Sequence, residues 1–266
     1  MQNQNLIVGF LGGGALAESV IRGISNNLTP AQNIFVSEQS AERRAFLEKN
    51  LGVHVSNCVD FADKINALIL AVKPKDAATA LAELQTNLTP NVLVMSVVAG
   101  LKLQSLENYL PNLRIIRVMP NVNVAVSEGM IALAAGSNAS NADLDTAKNF
   151  WRAVGRTVQV DEKLMDAVTG LSGSGPAFAF LAIDALADGG VAAGLPRDVS
   201  ILLAAQTLLG SAKLVLESGS HPDVLRDRVT SPAGTTIEGV RVLERNGFRS
   251  ALLEAVIAAA EKSKIL

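Results

Sequence analysis

The sequence predicts an α/β fold: a doubly wound, mainly parallel sheet in the N-terminal part, joined to a C-terminal all-helical domain. Short apolar runs of strand length alternate with helix-like segments from Leu6 to about Val160. The runs are continuously apolar rather than alternating, which is the pattern of strands covered on both faces by crossover helices. Beyond about Asp161 the segments are long and Ala/Leu-rich, with no β-rich runs between them. The boundary therefore falls between residues 1–160 and residues 161–266.

In chain order, the predicted strands are Leu6-Ile7-Val8-Gly9-Phe10, Ile34-Phe35-Val36, the run 67–72, Val92-Leu93-Val94-Met95 and Arg114-Ile115-Ile116-Arg117-Val118. Between the first two, Leu16, Val20 and Ile24 recur every four residues and form one apolar helical stripe, with Glu18 and Arg22 facing elsewhere. The C-terminal part reads as helices over 174–193, 197–218 and 249–264. In the second, residues Ile201 to Leu209 are apolar around nearly the whole circumference. A domain of roughly 100 residues has little capacity to surround such a helix, so a homo-oligomer is expected, the alternative being a helix central to its own domain.

Composition narrows the function classes. The 266 residues are 49% hydrophobic, and 23 Lys+Arg against 25 Asp+Glu leave a net charge of −2. That composition fits a packed globular chain and lacks the basic excess of a nucleic-acid binder. Cys58 is the one cysteine, so no intrachain disulfide can form, and the polar start Met1 to Asn5 has no basic, apolar leader pattern. Cytoplasmic localisation is expected. Asp184 and Asp188 interrupt the Ala-rich run 177–193, so no transmembrane segment is expected either.

The strongest local signal is Gly12-Gly13-Gly14-Ala15-Leu16-Ala17, a Gly-x-Gly-x-x-Ala turn between the first strand and the first helix. It reads as the dinucleotide-binding turn of a Rossmann-type sheet, the alternative being a tight glycine turn with no ligand. Gly12 permits the tight turn, Gly14 lets a pyrophosphate approach the backbone, Ala17 allows close helix packing, and free N–H groups attract the anion. At the end of the second strand, Glu38 would accept a ribose 2′-hydroxyl and repel a 2′-phosphate, whereas Ser37 with Arg43 or Arg44 would favour the phosphate. The sequence leaves both open. Lys73, before Pro74, can donate to the cofactor or stand solvated in a turn. Two hydroxyl-rich junctions, 171–177 and 229–236, precede helices and can cradle a small carboxylate or serve as ordinary caps. His54 and Cys58 lack further ligands and His221 stands alone, so no metal site is expected. Phosphate-loop and nucleophile-elbow patterns are absent from the sequence.

Taken together, the glycine turn, Ala71-Val72-Lys73-Pro74, Arg117-Val118-Met119-Pro120-Asn121, the stretch 166–177, the stretch 184–191 and above all the stretch 229–244 resemble the pyrroline-5-carboxylate reductase family over nearly the whole chain. Val122 and Asn123 stand where that family commonly has Thr-Pro, and Ala233 where it commonly has glycine. The resemblance implies reduction of 1-pyrroline-5-carboxylate to L-proline by NADP(H), with NAD(H) as the alternative, the last step of proline biosynthesis. It implies that Thr236 hydrogen-bonds the ring nitrogen, and that Ser231 with the N–H groups of Gly234 and Thr235 binds the carboxylate while Glu162 orders the substrate. Around the cofactor it places Leu11, Gly12, Gly13, Gly14, Ala15 and Leu16, then Ser37, then Asn57 as a contact to a 2′-phosphate, then Ala71, Val72, Lys73 and Pro74, then Val97, Val98 and Ala99. The helical domain would bind substrate and form a homodimer, with decamers built from such dimers. Two other readings are a β-hydroxyacid dehydrogenase using Lys163 or Lys213 as base, and a non-catalytic nicotinamide-binding scaffold.

Overall fold

The computed structural model describes residues 6–84 and 87–265; the polar start Met1 to Asn5 lies outside the described residues. The chain divides into two compact units, Met1–Gly173 with Ala259–Leu266, and Ser174–Ala258.

The first unit runs β1 (Val8–Leu11), α1 (Ala15–Asn27), β2 (Ile34–Ser37), α2 (Ala41–Leu51), β3 (His54–Val55), β4 (Ala67–Leu70), α3 (Ala77–Leu84), β5 (Leu93–Ser96), α4 (Leu103–Tyr109), β6 (Arg114–Met119), β7 (Gly129–Ala135), α5 (Asn141–Trp151), β8 (Gly155–Gln159) and α6 (Met165–Val168). The strands form one sheet in the order β3-β2-β1-β4-β5-β6-β7-β8. Val8 pairs with Ile34 on one side and Ala67 on the other, in parallel register, and every neighbouring pair is parallel except β6 with β7.

Both faces of the sheet are covered, as the continuous apolar runs require. Val8 and Phe10 of β1 share one core with Val20, Ile21 and Ile24 of α1 and with Phe150 and Trp151 of α5. Leu11 of β1 and Leu68 and Leu70 of β4 share the opposite core with Leu81, Leu103 and Leu106. Successive strand residues thus serve opposite cores, and β1, β4 and β5 are buried throughout. Each of the fully buried α1 residues Val20, Ile21 and Ile24 contributes about 1.5–3 kcal/mol by leaving water. Asp143 closes a capping box with Ser140 at the start of α5 and pairs with Arg114 of β6. Burial raises its carboxyl, but the Ser140 hydrogen bonds and the Arg114 guanidinium outweigh that and hold it below the ordinary 3.8.

Three strands escape the sequence pattern. β3 is only two residues long, β7 is rich in alanine, and β8 carries Arg156, Thr157 and Gln159 on an edge. The antiparallel β7 follows from chain length, since residues 120–128 are too few for the crossover a parallel return needs. The predicted run 67–72 stops as a strand at Leu70, and the first strand begins at Val8 rather than Leu6.

The second unit contains α7 (Gly175–Ala192), α8 (Arg197–Ser218), α9 (Pro222–Arg228), α10 (Thr235–Arg245) and most of α11 (Phe248–Ser263). Its core is thin: Pro176 and Ala187 are the buried residues of α7, and Ser200 and Ala204 those of α8. Phe180 is 60% exposed, Leu181 70% and Leu202 67%. An apolar surface of this kind marks an interaction site. By length and composition alone, the helical stretches Glu162–Ala192 and Arg197–Ser218 are long and apolar enough to cross a membrane.

Candidate active site

In the first unit, the carboxyl ends of five parallel strands bring together residues spread over nearly 90 positions. β1 ends at Leu11, before the turn that contains Gly12, Gly13 and Gly14 and opens α1 at Ala15 and Leu16. Beside it lie Ser37 at the end of β2, Asn57 beyond β3, Ala71 to Pro74 beyond β4, and Val97 to Ala99 beyond β5. The strand order reverses between β2-β1 and β4-β5, and ligands of such sheets bind in the crevice at that switch point.

The turn has the geometry a pyrophosphate needs. Gly12 has φ +100, and a Cβ on it would stand 2.6 Å from the Ala71 carbonyl oxygen, so only glycine lets β1 and β4 end this close together. Its N–H donates to the Ser37 carbonyl at 2.8 Å, and Ala71 N–H donates to the Leu11 carbonyl at 2.8 Å. Gly14, by contrast, has an extended φ of −67, and a Cβ there would meet nothing within 4 Å. The space beside Gly14 is open, and it borders the first-turn N–H groups of α1, which have no carbonyl four residues back. The residues present fit a dinucleotide.

Glu38 closes the turn. Its Oε2 accepts from Gly13 N–H and its Oε1 from Ser40 N–H, each at 2.9 Å. Arg43 donates from Nε to the Gly13 carbonyl, pairs with Glu18 and lies 4.8 Å from the Phe46 ring centre. Arg44 donates to the carbonyls of Glu38 and Gln39. Glu18, read from the sequence as facing away with Arg22, bonds both Arg22 and Arg43. Burial raises the Glu18 carboxyl, and the two arginines outweigh it, leaving it below its ordinary value. Asn57 is exposed and caps the short turn Cys58–Asp60, its N–H donating to Asp60 Oδ2 at 3.2 Å. Lys73 is exposed at the head of the turn Pro74–Asp76. Val98 points into the core, while Ala99 is exposed at the edge.

Glu162 stands apart from these. Its Oε1 accepts from Leu103 N–H at 2.6 Å, capping α4, and from Arg117 Nη1 at 3.0 Å. The Arg117 side chain is 9% exposed, so this pair neutralises a nearly buried guanidinium. Nothing in the sequence signals a partnership across 45 residues.

In the second unit, the stretch 229–236 forms a compact turn into α10. The stretch 171–177, expected as a junction ahead of a helix, is itself largely helical: Thr169–Gly173 is a π-helical turn directly after α6, and α7 has begun by Gly175. Thr230 Oγ1 donates to the Arg226 carbonyl at 2.7 Å. Gly234 N–H donates to the Ser231 carbonyl at 3.1 Å and Gly234 caps α10, which leaves the first-turn N–H groups of Thr235 and Thr236 directed outward. Ser231 Oγ lies so close beneath Gly234 that a Cβ there would stand 2.4 Å away. Ser231, Thr235 and Thr236 are exposed and share this one helix start. Ala233 has φ +56, the left-handed region disfavoured for a residue with a Cβ. That strain explains why a glycine suits the position. Ala233→Gly is expected to raise stability by about 1 kcal/mol, read as a higher urea midpoint with an unchanged slope. A lower midpoint would show that Ala233 carries no backbone strain.

A glycine turn of this geometry at the switch point of a doubly wound sheet defines a dinucleotide-binding protein of the Rossmann type. Residues 162–266 match the family described as pyrroline-5-carboxylate reductase dimerisation, and residues 7–100 match NADP oxidoreductase, coenzyme F420-dependent. The pyrroline-5-carboxylate reductase of Arabidopsis thaliana is 45% identical over 97% of this chain and 95% of its own length. That of Methanosarcina acetivorans is 46% identical over 100% of this chain and 99% of its own. Among solved structures, a pyrroline-5-carboxylate reductase from Coxiella burnetii superposes with TM-score 0.91 at 32% identity, covering 98% of each chain. The Plasmodium falciparum pyrroline carboxylate reductase with NADP bound gives TM-score 0.88 at 32% identity, again covering 98% of each chain. The chain belongs to the pyrroline-5-carboxylate reductase family, and is an NAD(P)H-dependent enzyme of proline biosynthesis.

Proposed function

We propose that the chain reduces 1-pyrroline-5-carboxylate to L-proline with the roles divided between its two parts, residues 1–160 holding the cofactor and residues 161–266 holding substrate and a second copy of the chain. The observation that carries this reading is the α10 helix start, where Ser231, Thr235 and Thr236 present hydroxyls and unsatisfied N–H groups at one point. When bound, the reduced nicotinamide supplies the hydride that the imine carbon accepts. The Thr236 hydroxyl holds the ring nitrogen, where a positive charge is being neutralised. Ser231 and the N–H of Thr235 hold the substrate carboxylate against the helix N-terminus. Gly234 contributes the cap that aims these groups, its own N–H being taken by Ser231. Glu162 supports the substrate indirectly, by fixing Arg117 and the start of α4. The turn from Leu11 to Leu16 holds the pyrophosphate, Ser37 and Asn57 border the adenosine ribose, and 71–74 with 97–99 line the remaining edge.

A lysine-based alcohol dehydrogenase is disfavoured. Lys163 pairs with Asp161 and Lys213 lies 3.7 Å from Glu217, and neither stands at the α10 helix start that gathers the hydroxyls. The exposed apolar faces of α7 and α8 support burial against a second copy rather than lipid, with decamers built from such dimers as the further assembly. The single, buried Cys58 suits a reducing cytoplasm. The test mixes purified protein with 1-pyrroline-5-carboxylate and NADPH or NADH, following loss of reduced nicotinamide and formation of proline. Nicotinamide binding without proline would favour the scaffold reading instead.

A further inference from the structure

The acid at the end of β2 has no part in the hydride transfer described above. Glu38 directly follows Ser37, the last residue of β2, on the sheet edge that carries the glycine turn. Its two oxygens are fixed between Gly13 N–H and Ser40 N–H, so the carboxylate stays at the seam between β1 and β2. The two guanidinium groups nearby are committed elsewhere, Arg43 to Glu18 and the Gly13 carbonyl, and Arg44 to the carbonyls of Glu38 and Gln39. In a sheet of this topology the adenosine ribose lies at the end of the second strand. A carboxylate there accepts a hydrogen bond from the 2′-hydroxyl and repels a 2′-phosphate, while the Arg43 guanidinium is held by Glu18 and by the carbonyls of Gly13 and Gly14.

We propose that Glu38 sets the cofactor preference of this enzyme, favouring NADH over NADPH through the ribose 2′-hydroxyl. The proposal rests on the reading that the glycine turn holds the dinucleotide. Its test is a fluorescence titration of the folded protein with NADH and with NADPH, for the wild type, Glu38→Ser and Glu38→Gln, with kcat/KM for each cofactor measured alongside. The wild type is expected to bind NADH at least about tenfold more tightly. Glu38→Ser shifts the ratio of dissociation constants toward NADPH by about 10–100-fold. Glu38→Gln shifts it in the same direction by less, because the amide keeps an acceptor but loses the charge. Equal or tighter NADPH binding by the wild type overturns the proposal. So does a ratio unmoved in both variants, which is the result if Glu38 only ties the turn to α2 and both cofactors weaken together. Failure of both cofactors to bind the wild type would overturn the dinucleotide site itself, and the two failures are distinguished by whether any binding is seen.

Discussion

Thr236→Ala lowers kcat by about 10²-fold while the dissociation constant for the reduced nicotinamide stays within about twofold of the wild type, if the hydroxyl acts at the imine nitrogen. The size follows from removing one hydrogen-bonding group where charge changes in the transition state, a loss that falls on turnover more than on ground-state binding. Thr236 is exposed in the first turn of α10, so truncating it removes little packing and leaves the fold intact. Thr236→Ser is the informative companion, since it restores the hydroxyl and is expected to recover most of the rate. Steady-state kinetics of both variants with 1-pyrroline-5-carboxylate, beside a cofactor titration, decide the matter. An unchanged kcat in the alanine variant would remove Thr236 from the reaction.

The second large effect separates two glycines of the same turn. Gly14→Val is expected to raise the nicotinamide dissociation constant by at least about 10²-fold with an almost unchanged melting temperature. The backbone there is extended and a Cβ meets no protein atom within 4 Å, so valine folds without strain but fills the space beside the first-turn N–H groups. Gly12→Ala is expected to act through stability instead. Its φ of +100 and the Ala71 oxygen 2.6 Å from the added carbon force the ends of β1 and β4 apart. Calorimetry and a cofactor titration on both variants should therefore give opposite patterns: affinity lost at Gly14, melting temperature lost at Gly12. Normal cofactor affinity in Gly14→Val would show that no pyrophosphate lies against the turn.

Much of the fold and of the edge proposed for the cofactor was legible because it is written locally. A strand buried on both faces needs a continuous apolar run, so β1, β2, β4, β5 and β6 stand out, and α7 and α8 announce themselves by length. β7 and β8 do not, since alanines and a polar edge carry no strand signature, and the antiparallel turn into β7 follows from the shortness of residues 120–128. Ser231, Gly234, Thr235 and Thr236 could be found together because a helix start gathers neighbours in sequence. The work of Arg43 and Glu162 could not be found, because each acts on a group 25 to 59 positions away.

Near-neighbour signals in the sequence specified β1, β2, β4, β5 and β6, the glycine turn between the first strand and helix, and the hydroxyl-rich start of α10. Each is a matter of near neighbours, governed by backbone conformation and by periodicities of two or 3.6 residues. The tertiary structure decided what those signals left open. It placed Glu38 on Gly13, turned Arg43 back to Glu18, and set Glu162 on Arg117. It also left the apolar faces of α7 and α8 uncovered within one chain. The physical reason is that hydrogen bonds and ion pairs between distant residues exist only once the sheet order has brought β2 beside β1 and β6 beside β5.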